Sequence, residues 1–322
     1  MPVVPWLALP LAMLGTWLAI GYARRRNLVD LPGERRSHQV VTPRGGGVAI
    51  VAVVLAALPV LAVAVPSLRA DLALFGSGLA LVAGIGWWDD HRPLSAGLRL
   101  LVHMLAGVLL AVVAWRQGGG GLAITLAFVF AVSLVNVWNF MDGINGLASS
   151  QAAIVCVAFA LLLPPAWAVL AWLVAAACGG FLPFNFPRAR IFLGDVGSGA
   201  LGYMVAALLM LTAVLTPVHW ALLALPIVAF VGDAGLTLAR RVLTGQRWTQ
   251  PHTQHLYQRV VKRGASHTLV TLAYAGFTIL AAMVMHHSAS AGLSGAVSWM
   301  SFLLAAAVVG ACWRCCAWEW TR

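Results

Sequence analysis

The chain has 322 residues, 61% of them apolar and 9% charged, with a mean hydropathy of +0.91 and a formal net charge of +11. Soluble domains carry about 25% charged residues, so this composition excludes a soluble enzyme and describes an integral membrane protein. The positive charge is spread over short polar segments and forms no soluble basic module. That excludes nucleic acid as a partner and points to anionic lipid headgroups and an anionic substrate.

A spanning helix needs roughly 20 mostly apolar residues, and eleven stretches qualify: 3–22, 46–66, 70–88, 97–115, 122–138, 146–163, 166–182, 197–215, 218–239, 267–286 and 292–312. The predicted fold is therefore all-α, a polytopic membrane bundle forming a single domain over 1–322. The first stretch lacks a basic leader and is followed by Arg24, Arg25 and Arg26, the reverse of a secretory signal's charge order, so it is expected to remain as a helix. Alternating the loops leaves Arg69 and Arg116 on one side and every other Lys and Arg on the opposite side. Cytoplasmic loops retain basic residues, so the N-terminus is expected outside and the C-terminus inside. Asp30, Glu34, Asp89, Asp90, Asp142, Asp195, Asp233 and Glu319 fall on the basic side, with Asp71 alone outside the set. Carboxylates this sparse in an apolar chain mark a pathway or a catalytic site. The five cysteines suggest no disulfide framework, since two lie in apolar spans and Cys312, Cys315 and Cys316 end the chain on the reducing side.

The chemistry is expected in the longer cytosolic segments near 23–45, 89–96, 136–146, 183–196 and 240–266. The first carries Asp30, Glu34, Arg35, Arg36 and His38, then Arg44 and Gly45 to Gly47 opening the second helix. Glycines before a helix start expose backbone N–H groups to an anion, and Arg44 adds charge, so a phosphate fits there. A basic loop holding lipid heads is the alternative. The second segment holds Asp89 and Asp90 at the end of the third span. Adjacent helical residues point about 100° apart, so one acid can serve a metal and the other a proton, or one can cap a helix.

The third segment spaces Asn136, Asn139, Asp142 and Asn145 by three residues, which on a helix lines one face, with Gly143 and Gly146 breaking the helix near a ligand. It suits oxygen coordination of Mg²⁺ together with recognition of a base. In the fourth, Asp195 stands between Gly194 and Gly197 at a helix start, placed either as a ligand to a hard cation or as a simple N-cap. Asp233 lies deeper along its helix than Arg240, as a helix–helix ion pair or as part of the chemistry. The fifth segment has His252 and His255 on one face if helical, able to bond one diphosphate, followed by Arg259, Lys262 and Arg263.

In this order the segments resemble the polyprenyl-phosphate N-acetylhexosamine-1-phosphate transferases, a glycosyltransferase family 4 group related to the MurNAc-pentapeptide translocases. The motifs are Asp-x-Pro through Pro-x-Gly-Gly at 30–46, the acid pair at 89–90, Asn-x-x-Asn-Phe-x-Asp-Gly-x-x-Gly-Leu at 136–147, Phe-Leu-Gly-Asp-x-Gly-Ser at 192–198, and the His loop. The resemblance implies transfer of a sugar phosphate from a UDP-N-acetyl sugar to undecaprenyl phosphate, with Mg²⁺ or Mn²⁺, at the bacterial inner membrane, among membrane lipids and in a homodimer. It implies that Asp195 and Asn139 hold the metal, that Phe192 and Asn145 hold uracil, and that His252 and His255 meet the diphosphate. Arg259, Arg44 and His38 complete the substrate contacts. Asp89 would activate the lipid phosphate, with Asp90 supporting metal or charge and Asp142 completing the polar centre.

Asn145 stands where many bacterial relatives carry Asp, which leaves that position a binding role rather than a catalytic one. The loop reads His252-x-x-His255 rather than His-x-His-His, a pattern closer to initiating transferases of O-antigen synthesis. Two other readings remain: an ion-coupled transporter, which would place its acids near the midplane and repeat in two halves, and an inactive scaffold of a polysaccharide-synthesis complex. Neither repeat nor midplane acids are present in the sequence.

Overall fold

The structure is a computed structural model that describes residues 3–30, 40–246 and 252–318. Its helices are α1 (Val3–Arg25), α2 (Val48–Ala64), α3 (Arg69–His91), α4 (Ala96–Arg116), α5 (Gly121–Phe140), α6 (Leu147–Ala160), α7 (Pro165–Asn185), α8 (Asp195–Leu215), α9 (Trp220–Leu223), α10 (Val228–Leu243), α11 (Leu256–Lys262), α12 (His267–Ser290) and α13 (Gly295–Trp318). The polytopic helical fold expected from composition is present, and each of the eleven apolar stretches is helical.

Among the described residues nine spans are long and apolar enough to cross a membrane, whereas Val48–Ala64 and Leu147–Ala160 fall short. The two short ones are α2 and α6, and both begin directly after a glycine-bearing loop of the acid-rich end, which takes residues the sequence assigned to helix. The span Trp220–Leu243 is interrupted by a 3-10 turn at Leu225–Ile227. Pro226 sits in that turn, and its missing N–H and fixed φ end one helix and open the next.

The core is built around α8, from Val196 to Thr212 an unbroken run of buried residues. Small residues allow this approach: a Cβ on Gly202 would lie 2.2 Å from the Leu134 carbonyl oxygen of α5. α3, α5 and α6 pack on α8, and α1 packs on α7. The outer helices α1, α4, α12 and α13 expose Trp6, Trp17, Leu101, Leu105, Met283 and Leu303, as surfaces solvated by hydrocarbon do.

A two-stranded antiparallel ribbon, β1 (Val29–Asp30) with β2 (Thr42–Pro43), pairs Val29 with Pro43 and Asp30 with Thr42. It continues into the loop before α8, because Phe192 N–H donates to Pro43 O at 2.8 Å and Gly46 and Gly47 N–H donate to Phe192 and Leu193 carbonyls at 2.9 and 2.8 Å. At the opposite end of α3, buried Asp71 accepts from Arg116 Nε at 2.6 Å and Gln117 Nε2 at 3.0 Å, while Gln117 Oε1 accepts from Trp167 Nε1 at 3.2 Å. This far-end network ties α3, α4 and α7 together well away from the other acids.

Candidate active site

The last turn of α3 aims its two acids at different partners, as helical geometry requires. Asp89 accepts from Leu94 N–H through Oδ1 at 2.6 Å and from Arg99 Nη1 through Oδ2 at 2.9 Å. Asp90 is buried, and its two oxygens accept from Asp195 and Val196 backbone N–H groups at 3.1 Å each. It therefore caps α8 from another helix, where the local N-cap residue is Gly194 and has no side chain to offer. Gly194 has φ +75°, and a Cβ there would stand 2.6 Å from Asp90 Oδ2. Arg44 donates to the Asp90 carbonyl and brings Nε to 3.8 Å from Oδ1. Its charge thus lies against Asp90 at the ribbon's edge.

Asp195 opens α8 with its side chain 33% exposed, so a ligand can reach it. Its Oδ2 accepts from Arg99 Nη1 at 3.2 Å and its Oδ1 from Asn139 Nδ2 at 3.0 Å, and the same amide reaches Ser198 Oγ at 3.1 Å. One guanidinium nitrogen thus bridges Asp89 and Asp195. Close backbone packing sets this arrangement: a Cβ on Gly86 would lie 2.4 Å from the Asp195 carbonyl oxygen, and one on Gly47 would lie 2.2 Å from Gly197 Cα.

The asparagine segment is only half a helix. Asn136 and Asn139 lie on α5, which ends at Phe140, so Asp142 and Asn145 come from the loop rather than from the same helical face. Asn136 turns back to Val132 O at 2.7 Å. Asp142 has its carboxyl pushed well above the usual carboxylate range by burial, then by the charges of Asp195 and Asp90, which places it within their electrostatic reach. Asn145 donates from Nδ2 to Pro187 O at 3.0 Å and accepts from Thr271 Oγ1 through its backbone oxygen at 2.8 Å. Phe192 is half-buried beside the ribbon.

His252 and His255 are not on one helical face, because α11 starts at Leu256 with His255 as its N-cap. An extended entry to α11 still brings their rings to 4.9 Å, and His255 stacks near Phe140 at 5.9 Å. His252 is held down to about 4 by burial, by His255 and by the Arg241 and Arg259 charges, despite Asp233. A histidine in that state is neutral at pH 7, with one nitrogen to donate and one to accept. Arg259 is buried, its guanidinium 5.2 Å from the ring centre of Trp313 on α13. His38 lies outside the described residues.

Two groups were given no role from the sequence. Arg99 lies one turn inside the fourth apolar span, and a cation at such depth is the signal that could have found it. Tyr257, fully buried, donates to Phe140 O at 2.9 Å and joins the histidine side to the acid side.

Residues 72–213 match the family model for glycosyl transferase family 4. The chain is 34% identical to the decaprenyl-phosphate N-acetylglucosaminephosphotransferase of Mycobacterium leprae, covering 81% of this chain and 78% of that protein. It is 26% identical to the undecaprenyl-phosphate alpha-N-acetylglucosaminyl 1-phosphate transferase of Escherichia coli O157:H7, covering 90% and 84%. A shorter match, 34% identical over 39% of this chain and 40% of its relative, is to the phospho-N-acetylmuramoyl-pentapeptide-transferase of Thermosynechococcus vestitus. With the motif segments converging at one end of the bundle and a relative this similar along most of both chains, the protein belongs to glycosyl transferase family 4.

Proposed function

We propose that the protein transfers an N-acetylhexosamine 1-phosphate from a UDP-sugar to a polyprenyl phosphate at the cytosolic face of a bacterial inner membrane. An acceptor phosphate oxygen attacks the sugar-bearing phosphorus of the donor, the bond to the bridging oxygen breaks, and UMP leaves. The names of the relatives make UDP-N-acetylglucosamine the first donor to try and undecaprenyl phosphate the first acceptor. The product would begin an O-antigen or another surface polysaccharide.

The observation that carries this reading is the meeting of Asp89, Asp195 and Arg99 at the start of α8. Bringing two anions together requires positive charge that exists before they arrive, and Arg99 supplies one such charge. The acceptor's tail loses about 0.8 kcal/mol of burial per CH₂ on leaving the bilayer, so its phosphate stays at the headgroup plane. Reacting groups must then gather at one end of the bundle, as these do.

Among the described residues no group of three or more His, Cys, Asp or Glu side chains is arranged as a complete metal cage. Mg²⁺ needs none, since it commonly takes one or two carboxylates, waters and substrate phosphates. The hard oxygens of Asp195 and Asp89 with the Asn139 amide fit that donor set, and Mn²⁺ would use the same atoms. A bound cation would supply charge to the diphosphate. Asp90 and Arg44 hold the α8 start in place, His252 and His255 face the donor diphosphate, and Asn145 and Phe192 border the base.

The test is a membrane assay with undecaprenyl phosphate and radiolabelled UDP-N-acetylhexosamines, with and without Mg²⁺, on wild type, Asp89→Asn and Asp195→Asn. Mg²⁺-dependent label in lipid, lost in both variants, is the expected result. Absence of lipid product with every donor, from folded protein, would sink the reading.

A further inference from the structure

Asp233 on α10 is fully buried, and its bonds reach beyond its own helix. Its Oδ1 accepts from Leu256 N–H at 2.6 Å and from Thr237 Oγ1 at 3.4 Å. Its Oδ2 accepts from Tyr274 Oη at 2.8 Å and Tyr257 N–H at 3.3 Å. His255 Nδ1 stands 3.8 Å from Oδ1. Three of these five neighbours are the consecutive residues His255, Leu256 and Tyr257, the stretch through which the chain enters α11.

That stretch is also where the histidine rim meets the acid cluster. Tyr257 reaches the carbonyl of Phe140, and the residue before Phe140 is Asn139, bonded to Asp195. A Cβ on Gly143 would lie 2.2 Å from the Tyr257 hydroxyl, so the loop bearing Asp142 is fitted against the same ring. From the other side Thr237 accepts from Trp313 Nε1 at 3.0 Å, which anchors the carboxylate's own helix to α13. Asp233 is therefore the point on a rigid helix from which the distance between the histidines and Asp195 is set. A displacement of about 1 Å at such a support is enough to cost on the order of 100-fold in rate.

We propose that Asp233 is a positioning residue for the transfer reaction, acting through His255 to hold the histidine rim against the donor diphosphate. The proposal rests on the transferase reading above. It predicts that loss of the carboxylate harms use of the UDP-sugar more than use of the lipid, and that the harm depends on His255 being present.

The experiment is a double-mutant cycle in reconstituted membranes, with kcat/KM measured separately for the UDP-sugar and for the polyprenyl phosphate. Asp233→Asn should lower kcat/KM for the donor about tenfold in the wild-type background and by less than about twofold in His255→Ala, since coupled residues are not additive. Tyr274→Phe, which removes one bond and keeps the charge, should lower it ~threefold in the same pattern and serves if Asp233→Asn fails to fold. Asp71→Asn, which breaks the far-end network, should lower thermal stability without changing the ratio of the two kcat/KM values. Equal losses for Asp233→Asn in both backgrounds, or equal losses for donor and lipid, would reduce Asp233 to structural support and overturn the proposal. A wild type that transfers from no UDP-N-acetylhexosamine would instead sink the transferase reading, and the assignment with it. An active wild type whose Asp233→Asn variant keeps wild-type donor kinetics sinks the assignment alone.

Discussion

Arg99 is the side chain on which the acid cluster depends, since its single Nη1 lies within hydrogen-bond distance of both Asp89 and Asp195. Removing it would leave two carboxylates facing each other across a site built to receive phosphates. Arg99→Leu is expected to lower lipid-linked product by on the order of 100-fold, the scale of losing one preorganised donor at developing charge. Arg99→Lys should lose less, because the charge remains while the rigid planar group that aims one nitrogen at both carboxylates is replaced by a flexible ammonium. Label transfer in membranes measures both, and full activity in Arg99→Leu would refute the role. The acids were legible because carboxylates are rare in this chain, whereas Arg99 was one cation among twenty Lys and Arg and fell inside an apolar stretch. The histidines were legible as a pair but not as a geometry, since their contact comes from the entry to α11 rather than from helical spacing. His252 also gives a pH signature. Its folded value of about 4 lies below the unfolded value near 6.5, so between these the unfolded chain holds more protons. Stability is complete above about pH 6.5 and declines as pH falls toward 4. The midpoint of thermal unfolding should drop between pH 7 and pH 5, and less so in His252→Gln; an identical drop in both proteins would remove His252 as a source.

At the level of elements, α3 and α8 meet at Gly86, whose missing side chain lets the Asp195 backbone approach. Gly86→Ala gains helix propensity, about 1 kcal/mol, but places a Cβ against a carbonyl that cannot rotate away. Overpacking of this kind costs typically 1–3 kcal/mol, so the net change should be destabilising, with activity falling because the start of α8 moves. Gly84, on the same helix with nothing within 4 Å of its Cβ position, provides the control: Gly84→Ala should gain up to about 1 kcal/mol and leave activity intact. Thermal unfolding with a transfer assay distinguishes the two, and an active, stabilised Gly86→Ala would contradict the packing argument. The existence of eleven helical stretches was legible because apolar runs carry their own signal. Their ends were not, because glycine loops at α2 and α6 take up residues that hydropathy cannot separate from helix, and because Pro226 divides one apolar run. The pairing of the ribbon with the loop before α8 joins segments about 150 residues apart, and no local pattern announces it.

At the scale of the whole molecule, the two ends of the bundle differ in kind. Among the described residues, one gathers Asp89, Asp90, Asp142, Asp195 and most of the Arg residues, and the other holds the Asp71 network with Arg116 and Gln117. Charge asymmetry orients a polytopic chain, so the acid-rich end should face the cytosol, where UDP-sugars are made. At the far end Gly120 is exposed, with nothing within 4 Å of its Cβ position, and at the acid-rich end Arg92 is exposed just past α3. In a background with the five native cysteines replaced by Ser or Ala, Gly120→Cys should react with a membrane-impermeant maleimide in intact spheroplasts. Arg92→Cys should react only after the membrane is opened. Labelling of Arg92→Cys from outside would turn the acids away from the nucleotide pool, and no arrangement of Asp89, Arg99 and Asp195 could then rescue a UDP-sugar as donor. The opposite pattern would place the reacting phosphate of a lipid that stays in the bilayer, and the groups that bind it, on the side where its partner is supplied.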